Sequence, residues 1–258
     1  MQERVVRLQG VSNFRDYGGY AARGGRLKGG VLYRSANHAK ASDADLEAIH
    51  ALGIGAVVDL RRAGERARDP SRRHPDFAAI VIDNDIGDTP EDAWLAFVRS
   101  SDLSGDAFRT HHTDYYRDAP FEERHVDLFT RYFRHLADSD DAVLIHCAAG
   151  KDRTGLLAAL THHAMGVHPD DIMADYLLTN TAINYDLVIP IVTEMMTAQA
   201  GRAPKPEAVR VAIGVHQDYL DTAFRVIRDT HGDLDAYLER VLGVDADLRG
   251  RLERRLLA

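Results

Sequence analysis

Cys147, Asp152 and Arg153 lie in one short stretch of the chain, residues 146–155, which reads His-Cys-Ala-Ala-Gly-Lys-Asp-Arg-Thr-Gly. A cysteine thiolate is a strong nucleophile, and a guanidinium can hold two oxygens of a phosphate group at once, which a lysine cannot do. A nearby guanidinium and a helix N-terminus both favour the thiolate form of a cysteine. We therefore predict that Cys147 attacks phosphorus and that Arg153 holds the phosphate.

The residues between Cys147 and Arg153 are typical of a phosphate-binding loop. An apolar run at 142–145 precedes the stretch and another at 156–160 follows it, which predicts a strand, a tight loop and a helix. Small side chains in such a loop let the backbone N–H groups approach an anion. We predict that five residues contact the phosphate: Ala148, Ala149, Gly150, Lys151 and Arg153.

The leaving group of a phosphate ester needs a proton, so an acid must lie near the phosphate. Asp152 is our first choice for this acid because the loop itself carries it. Asp85, which follows a predicted strand, is the second choice. Asp83 and Asp88 are more typical of solvated turn residues.

Two further residues of the stretch are predicted to support the cysteine. Thr154 is placed to donate its hydroxyl to the sulfur and so to stabilise the thiolate. His146 is expected to orient the loop through backbone contacts. An equally good interpretation is that His146 is a buried histidine with no share in catalysis.

A purely structural role for Cys147 is the competing interpretation. Free cysteine is often a small buried residue after a core strand, and a cysteine followed six positions later by an arginine is by itself a weak signal. The complete stretch between a strand pattern and a helix pattern is far more specific, so the sequence favours the chemical role.

The composition excludes several classes of protein. With 45% apolar residues and a net charge of −8, the 258-residue chain can bury a core and lacks the basic surplus of a nucleic-acid-binding protein. It has neither a signal-peptide core nor an apolar run near the roughly 20 residues of a membrane helix. We expect a cytoplasmic protein without integral membrane association, although secretion without a signal peptide stays open.

Neither a metal nor another cofactor is expected. The adjacent histidine pairs at 111–112 and 162–163 do not face one another on a helix, so neither pair is a good metal site. The single cysteine also rules out an intramolecular disulfide.

Strand patterns alternate with helix patterns and are followed by a helical tail. Strands are predicted at 31–35, 56–60, 77–82 and 142–145, which indicates an α/β fold with a largely parallel sheet flanked by helices. Residues 91–98 predict a short helix, and the rest of 89–120 reads as an excursion over the surface. We see one domain over 1–258, with residues 183–215 as a helical lid. Asp59 and Arg61 are expected to form a structural ion pair, and Ser42 with Asp43 is expected to cap a helix that runs through Leu52.

The stretch 147–154 resembles the active-site motif of the cysteine-dependent tyrosine phosphatases, within them the atypical bacterial and fungal branch. Five further stretches are similar to that branch and span most of the chain: 13–16, 32–35, 58–61, 174–177 and 214–220. The resemblance implies a phosphatase α/β fold with Cys147 as nucleophile, Arg153 as phosphate clamp and an acid in the loop, which matches Asp152. The Trp-Pro-Asp loop of the larger tyrosine phosphatases is missing, since the one tryptophan is Trp94.

Members of that branch with lysine and aspartate at the positions of Lys151 and Asp152 accept phosphotyrosine, phosphoserine or phosphothreonine, and some accept phosphoinositides. The leading hypothesis is therefore a metal-independent phosphomonoesterase of broad specificity that acts on phosphoproteins. The same chemistry on a small phosphorylated metabolite is one alternative, and a catalytically silent phosphate-binding module is another. The sequence leaves the oligomeric state open.

Overall fold

A five-stranded sheet lies at the centre of the computed structural model, which describes residues 4–87 and 93–258. Its strands are β1 (Arg15–Asp16), β4 (Leu32–Ser35), β7 (Ala142–His146), β5 (Ile54–Asp59) and β6 (Ile80–Ile82), in that spatial order. Strand β1 is antiparallel to β4, and the other neighbours are parallel. Strands β2 (Ala21–Ala22) and β3 (Gly25–Arg26) form a separate two-stranded sheet. The predicted α/β fold with a largely parallel sheet is confirmed.

The register of the sheet brings three strand ends together. His146, the last residue of β7, pairs with Ser35 of β4 on one side and with Asp59 of β5 on the other. The apolar β7 is the central strand, and the chain leaves it directly into residues 147–151. This is the carboxyl edge of the sheet, where parallel α/β folds bind their ligands.

Helices make up most of the rest of the described chain. Their bounds are α1 Asp43–His50, α2 Ala63–Arg68, α3 Ala93–Ser100, α4 Gly105–Asp118, α5 Glu123–Asp138, α6 Asp152–Ala164, α7 Pro169–Leu177, α8 Thr179–Ala182, α9 Tyr185–Ala200, α10 Pro206–Ile213, α11 Gln217–His231, α12 Leu234–Arg240 and α13 Ala246–Leu256. A 3₁₀ turn, Ala119–Phe121, joins α4 to α5. None of the described helices is long and apolar enough to cross a membrane.

The two faces of the sheet bury alternate residues of each strand, as expected for side chains that point to opposite sides. Val58 and Ile145 belong to the larger core, which includes residues of α5, α6 and the C-terminal helices. Val57 and Leu144 belong to a smaller core that includes residues of α1. Helix α6 therefore starts at the end of the central strand and packs back onto the sheet, so its N-terminus stays beside the loop.

Two local predictions are confirmed by contacts between near neighbours in the sequence. Ser42 caps α1 by accepting a hydrogen bond from the backbone of Asp45 at 3.2 Å, and the Asp45 side chain bonds back to Ser42 N at 2.9 Å. Arg61 and Asp59 form a buried ion pair of 2.7 Å. Both contacts join residues within one turn of each other, so they could be predicted without the fold.

One prediction from the sequence is wrong, and another is right only in part. Residues 105–118, expected to run over the surface, form helix α4, which buries Phe108, His112 and Tyr116 at intervals of four residues. The helical period was hidden because polar residues fill the positions between these three. The strand expected at 77–82 covers only Ile80–Ile82, because this edge of the sheet pairs with β5 over three residues. Of the short helix expected at 91–98, residues 91 and 92 lie outside the described chain.

The region predicted as a lid, 183–215, contains helices α9 and α10. Together with α3 and the start of α4 they share a third apolar cluster, separate from the two cores on the sheet. Its buried members are Val98, Leu103, Phe108, Met196, Ala208, Val209 and Ala212, and Trp94 packs against them. The region therefore has its own packing, and it joins the sheet domain through α4.

Candidate active site

The loop that follows β7 has its carbonyl groups tied to the surrounding chain. Ala148 O accepts from both the backbone N and the side-chain Nδ2 of Asn37, each at 3.0 Å. Gly150 O accepts from Asn13 Nδ2 at 2.7 Å and from Arg34 Nη2 at 3.1 Å. Within residues 4–87 and 93–258, no acceptor is found for the backbone N–H groups of 148–151. The carbonyls thus point outward, and the free N–H groups are available to an anion.

Gly150 is required for this loop geometry. Its φ is +66°, and an added Cβ would lie 2.3 Å from Ser35 O, which no side chain can tolerate. Asn13, which holds the carbonyl of Gly150, also has a positive φ, of 58°. The close approach of β4 to the loop therefore depends on glycine at this position.

Cys147 lies at the base of the loop, where its side chain is almost completely buried. Arg153 follows in the first turn of α6, and Lys151, the residue before α6, is buried as well. The structure thus brings the predicted nucleophile, the predicted clamp and the free N–H groups to one place, and helix α6 directs its N-terminus at them.

Arg153 is held by a carboxylate that the sequence did not single out. Glu65 of α2 accepts from both ends of the guanidinium, at 2.5 Å from Nη1 and 2.7 Å from Nη2, and Leu60 O accepts from Nη1 at 3.1 Å. Burial by itself would raise the pKa of Glu65, but the charge of Arg153 lowers it to about 2. Glu65 is therefore ionised at every working pH and keeps the guanidinium in one orientation. Nothing in the charged run 61–68 distinguishes Glu65, because its partner is remote in sequence.

Glu65→Gln should lower kcat/KM for an aryl phosphate by about 10- to 100-fold, because one charged pair of hydrogen bonds that orients Arg153 is lost. The inhibition constant of inorganic phosphate should rise in parallel, since the same guanidinium binds product. Glu47→Gln is the matched control, because Glu47 is exposed and pairs with His74 instead. If the inhibition constant of phosphate were unchanged in Glu65→Gln, Arg153 would not need its hydrogen bonds to Glu65 in order to bind phosphate.

Asp152 lies at the N-terminus of α6 with both carboxylate oxygens in contact with neighbours. Oδ1 accepts from the hydroxyl of Tyr116 at 3.2 Å, and Oδ2 lies 3.4 Å from Lys151 Nζ. The Tyr116 hydroxyl in turn accepts from Tyr176 at 2.8 Å. Burial by itself would raise the pKa of Asp152, but the charge of Lys151 leads the interactions that lower it below its ordinary value. The carboxyl group is therefore ionised in the free protein and fixed in position.

The ammonium group of Lys151 is bound to the end of α10 as well as lying beside Asp152. Nζ donates to Ala212 O at 2.8 Å and to Gly214 O at 3.2 Å, where α10 ends. It also lies 3.3 Å from His112 Nε2. The C-terminal end of a helix carries partial negative charge and stabilises a cation there. In this structure the predicted phosphate ligand Lys151 therefore binds the end of α10.

His146 is fully buried between β4 and β5. Its Nε2 lies 3.6 Å from Asp59 Oδ2 and its Nδ1 lies 3.4 Å from Cys147 O, and its ring stacks on His38 with centroids 5.4 Å apart. Burial lowers the pKa of His146 to about 4, although Asp59 opposes the shift. A neutral histidine in this place can position the start of the loop, and it is a poor proton acceptor at neutral pH.

The side chains of two predicted supporting residues, Thr154 and Asp85, have no hydrogen bond to the loop among the described residues. Thr154 Oγ1 is buried and has no hydrogen-bond partner in the described parts of the chain, so the bond expected to Cys147 is not formed here. Asp85 has a side chain that is 71% exposed and pairs with Arg66. No hydrogen bond or ion pair between Asp85 and the loop is found among the described residues.

A fully buried ion cluster lies behind the loop and joins three of the stretches that carried the family resemblance. Asp175 of α7 contacts Arg34 Nη1 at 2.8 Å and Arg15 Nε at 3.4 Å. Arg15 bonds to the side chain of Asn13, and Arg34 and Asn13 both bond to Gly150 O. These buried residues hold the backbone of the loop through the carbonyl of Gly150.

Asp175 should make the protein sensitive to acid. Burial by itself would raise its pKa, but Arg15 and Arg34 lower it to about 2, whereas an unfolded aspartate has a pKa of about 4. A lowered folded-state pKa contributes stability above about pH 4 that is lost as the pH falls to about 2. Asp175→Asn should reduce the free energy of unfolding at pH 7 by about 3–5 kcal/mol and flatten its decline below pH 4. Urea unfolding between pH 7 and pH 2 measures the free energy of unfolding and its decline with pH, and the exposed Asp76→Asn is the control. A decline in Asp175→Asn as steep as in wild type would contradict the role of Asp175.

One group of side chains could hold a metal ion by its donor types. His50, His74 and Asp76 have ligand atoms within 4.8 Å of one another. Both ring nitrogens of His74 are already engaged, Nε2 with Glu47 at 3.0 Å and Nδ1 with Asp76 N at 3.1 Å. The group contacts α1 and the segment before β6, and it has no part in the loop site.

Comparisons with known proteins show which family of proteins the chain is similar to. The chain matches the model of a family described as "Tyrosine phosphatase family" over residues 6–258. It is 38% identical over 246 residues to a protein of Cupriavidus necator named "Putative tyrosine-protein phosphatase", covering 93% of this chain and 85% of the relative. It is 32% identical over 261 residues to the "Triple specificity protein phosphatase PtpB" of Mycobacterium tuberculosis, covering 91% of this chain and 92% of the relative. A "Tyrosine-protein phosphatase" of Nostoc commune is 29% identical over 62% of this chain.

Proposed function

Because this chain belongs to the tyrosine phosphatase family and is a protein phosphatase, we propose that Cys147 is its nucleophile, Arg153 its phosphate clamp and Asp152 its general acid. The single observation that carries this assignment is the loop itself. Four backbone N–H groups without acceptors in the described chain and a guanidinium fixed by Glu65 surround one buried cysteine. Such an arrangement binds the equatorial oxygens of a phosphoryl group in transit.

The reaction proceeds in two displacements. The Cys147 thiolate attacks phosphorus, the bond from phosphorus to the ester oxygen breaks, and Asp152 in its protonated form gives its proton to that oxygen. In the second step water attacks the phosphocysteine while the Asp152 carboxylate takes a proton from it. Inorganic phosphate leaves and the thiolate is restored. The charge on the three equatorial oxygens stays bound to Arg153 and the loop N–H groups throughout.

The contacts of Asp152 support its assignment over that of Asp85. Tyr116 and Lys151 hold the Asp152 carboxylate beside the loop, whereas Asp85 is exposed and paired with Arg66. Asp152 is ionised in the free protein, so its carboxylate must take up a proton when the substrate binds before it can act as an acid. A phosphate dianion that arrives next to the carboxylate raises its pKa and supplies the reason for that protonation.

We propose broad specificity, for phosphotyrosine, phosphoserine and phosphothreonine and also for phosphoinositides. The name of the mycobacterial relative, a triple specificity phosphatase, supports this breadth. The same chemistry on a small phosphorylated metabolite is the second candidate, because the loop binds the phosphoryl group and not the rest of the substrate.

The proposal includes a movement of the lid region. Cys147 and Lys151 are almost fully buried, and the Lys151 ammonium bonds to the end of α10. Displacement of α9 and α10 would admit the substrate and free the ammonium group to meet a second negative charge on it. Lys151 is thus proposed as a phosphate ligand of the open state.

A substrate panel tests the function. Peptides with phosphotyrosine, phosphoserine or phosphothreonine, phosphoinositides, and sugar or nucleotide phosphates are assayed with wild type and Cys147→Ser. Turnover of the peptides by wild type alone supports a broad protein phosphatase, and preference for one small phosphate ester would favour the metabolite. Binding of phosphate without turnover of any substrate would favour the silent module.

The cytoplasm is our proposal for the compartment. A cysteine nucleophile must stay reduced, and Cys147 has no second cysteine with which a disulfide could form and later be reversed. Fractionation of the producing cells tests this, and accumulation of active enzyme in the medium would contradict it.

A further inference from the structure

Tyr115 has a buried hydroxyl group without a hydrogen-bond partner in residues 4–87 and 93–258. Leaving a buried donor unpaired is unfavourable, and native proteins rarely do so without a functional reason. Among the described residues, five tyrosines are fully buried, and the hydroxyl of each has a partner. Tyr17 pairs with Tyr132, which also contacts Thr161; Tyr176 donates to Tyr116, which donates to Asp152; and Tyr237 donates to Pro120 O. The buried hydroxyl of Tyr115 differs from these five.

The ring of Tyr115 is fixed in place on α4. It packs edge-on against Tyr116, with ring centroids 5.6 Å apart, and edge-on against His125 at 6.3 Å. His125 Nε2 bonds to Arg124 Nη1 at 2.8 Å. These contacts hold the ring and therefore the position of the hydroxyl oxygen.

The neighbours of Tyr115 connect its ring to the residues around the clamp. Arg124 Nη2 and Arg153 Nη1 donate to the same oxygen, Leu60 O, at 3.2 and 3.1 Å. The guanidinium of Arg124, which bonds to His125, therefore lies beside that of Arg153. Burial raises the pKa of Tyr115 well above its ordinary value, and the charges of Arg153 and Cys147 are among those that act on it. The phenol therefore keeps its proton at working pH and can act as a donor.

We propose that Tyr115 is a phosphate-binding residue whose hydroxyl donates a hydrogen bond to a non-bridging oxygen of the phosphoryl group, both in bound substrate and in the phosphocysteine. The inference rests on the proposed function of the loop and adds one side-chain donor to its N–H groups and Arg153. The unpaired hydroxyl of the free protein gains its partner when the phosphoryl group enters.

Tyr115→Phe tests the inference because it removes one oxygen atom and no existing bond. The dissociation constant of inorganic phosphate, measured by calorimetry, should rise about tenfold, as for one hydrogen bond to a charged group. The value of kcat/KM for an aryl phosphate should fall by at least as much. The melting temperature should stay the same or rise, since no folded-state contact is lost.

Tyr132→Phe is the matched control. The hydroxyl of Tyr132 is buried and bonded to Tyr17 at 2.7 Å and to Thr161 at 3.0 Å, in the core. This variant should have a lower melting temperature and an unchanged phosphate constant, the opposite of the pattern expected for Tyr115→Phe.

An unchanged dissociation constant of phosphate in Tyr115→Phe would overturn the inference. If the pH dependence of Cys147 alkylation by iodoacetate changed in the same variant, the hydroxyl would be assigned to the sulfur instead. Calorimetry does not need turnover, so failure of the inference and failure of the proposed function remain distinguishable: wild type that binds phosphate but hydrolyses nothing would contradict only the function.

Discussion

Cys147→Ser is expected to reduce turnover of an aryl phosphate by at least about 10⁴-fold, as for removal of a nucleophile from an otherwise intact site. A serine hydroxyl is not ionised near neutral pH and would need a base to activate it. The nearest histidine in the sequence, His146, is held neutral with a pKa of about 4, with Nδ1 facing the carbonyl of Cys147 and Nε2 facing Asp59. It is therefore not placed to serve the new hydroxyl.

Phosphate binding should survive in this variant, because the loop N–H groups and Arg153 are unchanged. Calorimetry with inorganic phosphate is thus the control that separates loss of chemistry from loss of the loop. Residual activity above about one hundredth of wild type, with phosphate binding intact, would rule out a cysteine mechanism.

Asp152→Asn is expected to slow hydrolysis by about 10²- to 10⁴-fold for an alkyl phosphate such as phosphoserine, and much less for p-nitrophenyl phosphate. The alkyl alkoxide is a poor leaving group and needs the proton, whereas nitrophenolate leaves without one. An asparagine oxygen can still accept from Tyr116, so the position of the side chain is preserved. Because Asp152 must be protonated to act as the acid, kcat of wild type should fall as the pH rises. This fall should be absent from the pH profile of Asp152→Asn.

Asp85→Asn is the control for the acid, since its carboxylate is exposed and pairs with Arg66. It should leave the ratio of rates for the two leaving groups as in wild type. Equal losses for both leaving groups in Asp152→Asn, or a leaving-group effect in Asp85→Asn, would move the acid away from Asp152.

The sequence by itself determined the features that depend on neighbouring residues. Strand β7, the loop and the start of α6 are contiguous, so the order of an apolar run, small residues and a second apolar run predicted their layout. The cap of α1 by Ser42 and the ion pair of Asp59 with Arg61 are equally local. The alternation of strands and helices likewise predicted the α/β fold, and the catalytic roles of Cys147, Asp152 and Arg153 are hypotheses from that same stretch.

Only the tertiary structure decided which distant side chains complete the loop. No local pattern around Glu65 or Asn13 names the partner of either side chain. Glu65 meets Arg153 because α2 follows the carboxyl end of β5, and Asn13 meets Gly150 because the chain enters the antiparallel β1 at the same edge of the sheet. Lys151 is a further example, since only the structure shows that its ammonium group bonds to the end of α10. The physical reason is that hydrogen bonds and ion pairs depend on distance in space, while a sequence pattern records only distance along the chain.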